Sequence, residues 1–216
     1  MEVFADAFTY LIARREYVLA TLTDHFMLVI WATFFVILIG VPLGIIISRT
    51  NRLQELVLGS VGILYTIPIL ALLGFLIPIM GIGTRPALIA LVIYGLLPVV
   101  RNTCVGISQV PAMTKEAALG MGANNLQLLF KVEIPLTFPV IFAGIRTAMV
   151  MTFSLATYAV FIGAGGMGSI IMRGMRTYNT GMLLAGIIMV VITTVLLDRV
   201  VGFIDNRVQK KFSLAD

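Results

Sequence analysis

Charge is scarce in this chain. Of its 216 residues, 12% are Asp, Glu, Lys or Arg and 60% are hydrophobic, whereas soluble domains run at about 25% charged and about 45–50% apolar. One core of this size buries only about 70% of the surface its unfolded chain exposes. The apolar excess therefore has no interior large enough to hold it and must face lipid, in keeping with a mean hydropathy of +1.07. Cysteine and histidine are nearly missing too, with one of each. A single thiol, Cys104, closes no internal disulfide. One histidine, His25, with no H-E-x-x-H and no pair of intramembrane aspartates, supplies neither a nucleophile–base pair nor a metal-ligand pattern, so the sequence offers no enzyme and no metal site. No glycine is followed directly by lysine, which removes the G-x-x-x-x-G-K-[ST] loop that cradles ATP phosphates. No basic run exceeds Lys210-Lys211, so the net charge of +5 reads as the Lys/Arg bias of membrane proteins and not as a nucleic-acid footprint.

What is present is length of apolar run. A helix needs about 20 mainly apolar residues to cross a bilayer, and five stretches satisfy this, at residues 26–48, 57–80, 86–107, 138–162 and 181–204. Residues 1–25 carry Phe4, Phe8, Leu11, Ile12, Tyr17, Leu19 and Leu22 at roughly helical spacing, with Asp6, Arg14 and Glu16 among them. That pattern predicts an amphipathic helix lying at the interface. Glu2 and Asp6 stand where a signal peptide would be basic, so the first span is expected to act as an uncleaved signal-anchor. With an odd number of spans and the N-terminus outside, ten of the fifteen basic residues (Arg49, Arg52, Arg101, Lys115, Lys131, Arg146, Arg199, Arg207, Lys210 and Lys211) fall on or near the cytoplasmic side. Arg14, Arg15, Arg85, Arg173 and Arg176 fall outside. The positive-inside rule then gives N-out, C-in.

The one sizeable polar insertion is 108–137. Pro111 suits a first helical turn, residues 112–121 are good helix formers, and Gly122 stands where a left-handed residue would end the helix. Asn124 can cap a second helix through Lys131, which Pro135 is expected to stop before the next span. The result is a helix-turn-helix elbow between two spans. Its small residues Ala117, Ala118, Gly120 and Gly122 let another backbone approach, which suits docking better than chemistry.

Glu116-Ala117-Ala118, three residues, Gly122, nine residues, then Val132-Glu133-Ile134-Pro135 resembles the EAA motif of ABC importer permeases, E-A-A, three residues, G, nine residues, I-x-L-P. Every fixed position is identical or an aliphatic exchange, and the 19-residue spacing from Glu116 to Pro135 is kept. Gly40-Val41-Pro42-Leu43-Gly44, Tyr65-Thr66-Ile67-Pro68, Gly95-Leu96-Leu97-Pro98 and Gly163-Ala164-Gly165-Gly166-Met167-Gly168 extend the likeness to the osmoprotectant branch, which imports glycine betaine, carnitine, choline or related quaternary amines. Methionine-type permeases share the five-span plan and a similar loop, so permeases for methionine or another amino acid stand as the alternative. A passive channel shares the composition but has no use for an elbow.

The resemblance implies an all-α membrane protein with five transmembrane helices of the ABC importer permease type: an interfacial helix at 1–25 and a permease domain at 26–216 with its coupling loop at 108–137. It places the chain in a bacterial inner membrane. Glu116, Ala117, Ala118, Gly120, Gly122 and Pro135 would couple it to a cytoplasmic dimer of ABC ATPases, which would bind ATP and Mg²⁺ while this chain binds no cofactor. Further partners are a second permease, either a copy or a paralogue, an extracytoplasmic substrate-binding protein, and membrane lipid. The longest outer segment, 163–180, has no room for a ligand-binding domain, and its Arg173 and Arg176 are candidates for contact with the binding protein. A permanently charged ammonium head accepts no hydrogen bond, so aromatic faces should stabilise it in transit. Tyr65, Tyr94, Phe153 and Tyr158 are candidate linings, with Phe161 beside them and Asn102 and Thr157 as polar companions. The run 163–168 also fits G-x-G-x-x-G, but it follows a membrane span and not a strand, so it is no dinucleotide site. Gly40-x-x-x-Gly44 reads as helix packing.

Single cysteines placed at Arg176, Asn125 and Phe212 in a chain lacking Cys104 test this orientation. A membrane-impermeant thiol reagent applied to intact cells should label position 176 and leave 125 and 212 untouched.

Overall fold

The computed structural model describes residues 2–213, with side chains through Arg207. Among these residues there is no strand, and the order is α1 (Glu2–Ala13), α2 (Arg15–Ile47), α3 (Asn51–Thr66), α4 (Ile69–Met80), α5 (Thr84–Ser108), α6 (Ala112–Gly120), α7 (Asn125–Leu128), a π turn (Leu129–Glu133), α8 (Ile134–Leu155), a 3₁₀ segment (Ala156–Ile162), α9 (Gly168–Arg176) and α10 (Thr180–Ser213). Four runs are long and apolar enough to cross a membrane alone: Arg15–Ile47, Thr84–Ser108, Asn125–Ile162 and Thr180–Arg207. The pair α3 and α4, bent by 94°, passes the same test only when the two are taken together, which makes the count four or five.

Three boundaries differ from those expected. The first long apolar helix begins at Arg15 and not at 26, with polar residues of its first turns partnered by its own backbone or, for His25, by α8. Thr21 and Thr23 donate back to carbonyls of their own helix, and His25 is buried against Phe153. Only Glu2–Ala13 remains as the separate N-terminal helix, and it is not a free interfacial element along its whole surface. Ala7 is buried, and a Cβ on Gly181 of α10 would come within 2.7 Å of Asp6. Phe4, Phe8 and Ile12 form its exposed apolar stripe.

The second span is not one rod. Proline disfavours helical geometry in the residue before it, and Ile67 is accordingly extended, with ψ of 125°. The carbonyl released at the break accepts a hydrogen bond from the Tyr94 hydroxyl. In lipid an unsatisfied carbonyl costs several kcal/mol, so the break and its partner come as a pair.

Pro135, finally, does not stop the second elbow helix. It takes the second position of α8, where a missing N–H matters little. The π turn just before it absorbs the mismatch and lets the chain run from Asn125 to Ile162 without interruption.

At the centre stands α5, with α2 on one side and α8 on the other. Hydrophobic attraction between helices vanishes in lipid, so close backbone approach and dispersion must hold them. Glycines supply the approach. A Cβ on Gly44 of α2 would lie 2.6 Å from Thr103 Cβ and 2.9 Å from the Val100 carbonyl oxygen of α5. Gly95 of α5 leaves room for Val36, and Gly144 of α8 receives Asn102 and the Pro98 carbonyl. The Gly40/Gly44 pair is thus a packing face against α5. Outward, Trp31, Phe34 and Leu38 are exposed on α2, as lipid contact requires.

Filling the Gly44 notch should therefore be felt at once. Gly44→Val should destabilise the solubilised protein by about 1–3 kcal/mol, the usual range for an overpacked core, and lower its thermal midpoint. Gly59→Ala, at a position with no neighbour within 4 Å, should leave the midpoint unchanged or slightly raised.

Candidate coupling site

The elbow is built from two helix ends that satisfy their own backbone. α6 closes where Gly122 N–H bonds Leu119 O (2.9 Å) and Ala123 N–H bonds Ala118 O (3.1 Å). This closure needs a residue with positive φ, and Gly122 has φ of 88°, a conformation that costs other residues about 1–2 kcal/mol. Two residues on, α7 opens with a reciprocal cap. Asn124 Oδ1 accepts from Gln127 N–H at 2.9 Å, and Gln127 Oε1 accepts from Asn124 N–H at 2.9 Å. The turn between the helices is thus fixed by four local hydrogen bonds and needs no tertiary support.

Its outer surface is open. Glu116, Ala117 and Gly120 are exposed, and a Cβ at Gly120 or Gly122 would meet nothing within 4 Å. Met113, Leu126 and Phe130 are exposed, and Met121 is 84% exposed. Ala118 instead turns inward and is buried, and Pro135 is half-buried at the root of α8.

Behind the elbow lies an ionic cluster that the sequence reading missed. Glu133, 0% exposed, receives both arms of the Arg49 guanidinium (2.8 Å at Oε1 and 2.5 Å at Oε2), with Lys115 Nζ 3.5 Å from Oε1. Lys115 also donates to Ile107 O, at the end of α5 (3.3 Å). The available signal was a carboxylate written into the start of an apolar run, Val132-Glu133-Ile134, where an unpaired charge would be expensive. A second cluster, Arg146 with Asp198 (2.8 Å) and Asp205 (3.6 Å), ties α8 to α10, and Gly202 leaves room for the guanidinium.

The residues proposed for a solute path fall in separate places. Tyr65 and Tyr94 meet at the α3–α4 break, ring centroids 5.5 Å apart, and Tyr94 is committed to the Ile67 carbonyl. Asn102 packs on Gly144. Phe153 has no exposed area. It is wedged edge-on against His25 and Phe26 at 4.5 and 5.1 Å, and in this conformation it offers no face to a solute. Thr157, Tyr158 and Phe161 line a cavity of about 230 Å³ with Met172 and Met175. Arg173 lies over the Tyr17 ring at 5.7 Å, and Arg176 is exposed at the end of α9. Before α9, the turn through Gly163, Gly165 and Gly166 has positive φ at all three. It is held by His25, whose Nδ1 accepts from Met167 N–H (3.4 Å) while Nε2 donates to Phe153 O (2.9 Å).

Apolar helices bundled on a central helix, with a structured elbow between two of them, are the architecture of a multi-pass membrane protein, and residues 36–210 match the family described as binding-protein-dependent transport system inner membrane component. The chain belongs to that family. It is 38% identical over 207 residues to the glycine betaine/carnitine/choline transport system permease protein OpuCD of Bacillus subtilis (strain 168), a match covering 95% of this chain and 90% of the relative. It is 40% identical over 188 residues to the carnitine transport permease protein OpuCB of Listeria monocytogenes, covering 87% and 86%. Among solved structures, the fold resembles a chain of the inward-facing MetNI methionine ABC transporter with TM-score 0.81 at 22% identity, covering 88% of this chain and 95% of that one.

If the cap sets the elbow's second helix, Asn124→Ala should cost about 1 kcal/mol locally. Hydrogen exchange should speed up at the backbone amides of Leu126, Gln127 and Leu128 and stay unchanged in α5.

Proposed function

We propose that this chain is the permease subunit of an ATP-driven importer for a quaternary-amine osmoprotectant of the glycine betaine, carnitine or choline type. The observation that carries the coupling half of this reading is the elbow: a turn locked by Gly122 and the Asn124–Gln127 cap, presenting Glu116, Ala117, Gly120 and Met121 outward. The solute half rests on the relatives named above, at 38% and 40% identity over most of the chain. The likeness to the methionine transporter, at 22% identity, bears on fold alone.

In this reading the N-terminus lies outside and the C-terminus in the cytoplasm. A substrate-binding protein delivers solute at the outer face near Arg173 and Arg176, and two permeases, copies or paralogues, enclose the path. Cytoplasmic ATPase subunits hold ATP and Mg²⁺ and close on one another. Each elbow follows its ATPase, and the spans alternate their opening. Weak aromatic contacts from Tyr65, Tyr158 and Phe161 suit a passing ammonium head, since a path that bound tightly would not release its cargo.

The test is uptake of radiolabelled betaine or carnitine by proteoliposomes containing the full complex, with ATP hydrolysis measured alongside. Gly122→Val puts a β-branched side chain at φ of 88°, and Glu116→Lys reverses the exposed charge of the docking face. Both should insert normally and lose uptake by at least about tenfold, the scale of an allosteric coupling term. Met189→Leu in α10, which keeps volume, should transport normally. Uptake at the unmutated rate in both elbow variants would overturn the assignment.

A further inference from the structure

The elbow is tied to the membrane helices through one carboxylate. At Glu133 the end of α2, through Arg49, meets the elbow helix α6, through Lys115, and the root of α8, to which Glu133 itself belongs. The end of α5 joins through the bond from Lys115 to Ile107 O. Arg49 and Glu133 are 84 residues apart in sequence, so nothing covalent nearby aligns them.

α2 and α8 are also packed through α5, but between α2 and the elbow no such packing replaces this link. Between the end of α2 and α7 lies a cavity of about 540 Å³, lined by Ile45, Ile46, Asn125, Leu126 and Leu128, with Arg49 on its wall. From that wall the guanidinium reaches Glu133. Its two parallel hydrogen bonds fix direction as well as distance, because a guanidinium fork matches a carboxylate only edge to edge. The π turn that ends at Glu133 adds one residue to the helical turn and so re-aims the side chains on either side by about 100° relative to an uninterrupted α-helix. Glu133 is aimed inward toward Arg49 while Leu126 and Phe130, upstream, face out.

We propose that Glu133 is the positioning residue that transmits elbow movement to α2 and α8 together, with Arg49 and Lys115 as its two grips. The proposal rests on the reading of the elbow as the ATPase dock. Removing the grip should leave the dock attached and let it move without the spans. The elbow's own turn is local and survives, whereas α2 is released from it.

The full complex in proteoliposomes tests this with Glu133→Gln, Arg49→Gln and the double variant, reading three quantities: ATPase retained on purification, ATP hydrolysed and solute taken up. Each single variant should keep its ATPase and its hydrolysis while uptake per ATP falls about tenfold. The double variant should be no worse than the poorer single one, since residues acting as one joint are not additive. Arg49→Lys, which keeps charge but loses the fork, should fall between. A merely structural role would lower hydrolysis and uptake in parallel, or lose the ATPase. Either result, or an unchanged ratio in all variants, overturns the proposal. Arg49 is 45% exposed in its side chain, so Arg49→Gln decides alone if Glu133→Gln does not insert. Loss of the docking reading would show separately, as normal uptake by Gly122→Val.

Discussion

The architecture depends on how near α2 and α8 come to α5. Lipid tails are as apolar as leucine, so helices in a bilayer gain nothing by hiding apolar surface from each other. They gain by dispersion and by hydrogen bonds, both of which fall off within an ångström or so of contact. Gly44, Gly95 and Gly144 set that distance, each occupying a place where a Cβ would lie within 3 Å of a neighbouring atom. The three-helix centre they make is the frame on which the bent α3–α4 pair, α9 and α10 are arranged.

Two departures from regular helix in this frame have a side-chain partner for a carbonyl at the break. The carbonyl opened before Pro68 takes the Tyr94 hydroxyl. The Phe153 carbonyl, near the change from α8 to 3₁₀, takes His25 Nε2, and the same imidazole holds the turn before α9. The π turn before α8 sits at the membrane root of the elbow, where Glu133 needs to face inward. A bilayer tolerates irregular backbone only where protein satisfies it, as the Tyr94 and His25 side chains do here. Tyr94 and Phe153, candidate pathway aromatics, each also make a contact within the frame, at the Ile67 carbonyl and against His25 and Phe26.

The charged residues follow the same logic. Each of the clusters around Glu133 and Arg146 joins helices distant in sequence, and each lies where a glycine or a cavity leaves room for the guanidinium. Buried ion pairs add little to stability compared with apolar packing, but removing one partner is severe. Their value here is directional: the Glu133 cluster holds the end of α2 at the root of the elbow, and the Arg146 cluster holds α8 to α10 along their length.

Much of this was legible in the sequence because the bilayer imposes one-dimensional rules. Apolar run length located four of the apolar helices and the bent α3–α4 pair, and the local chemistry of Gly122 and Asn124 specified the elbow's turn, since both caps are satisfied within a few residues. The EAA pattern pointed to the family to which the chain belongs. Tertiary structure alone decided the rest. That His25 can be buried within α2 depends on its finding the Phe153 carbonyl 128 residues away. That Pro135 continues a helix depends on a π turn with no composition signature. That Glu133 can be buried depends on Arg49 and Lys115 arriving from distant segments. Periodicity and propensity report what a segment can do within its own few turns. Which buried polar group meets which is set by long-range pairing, and no local window of the sequence contains it.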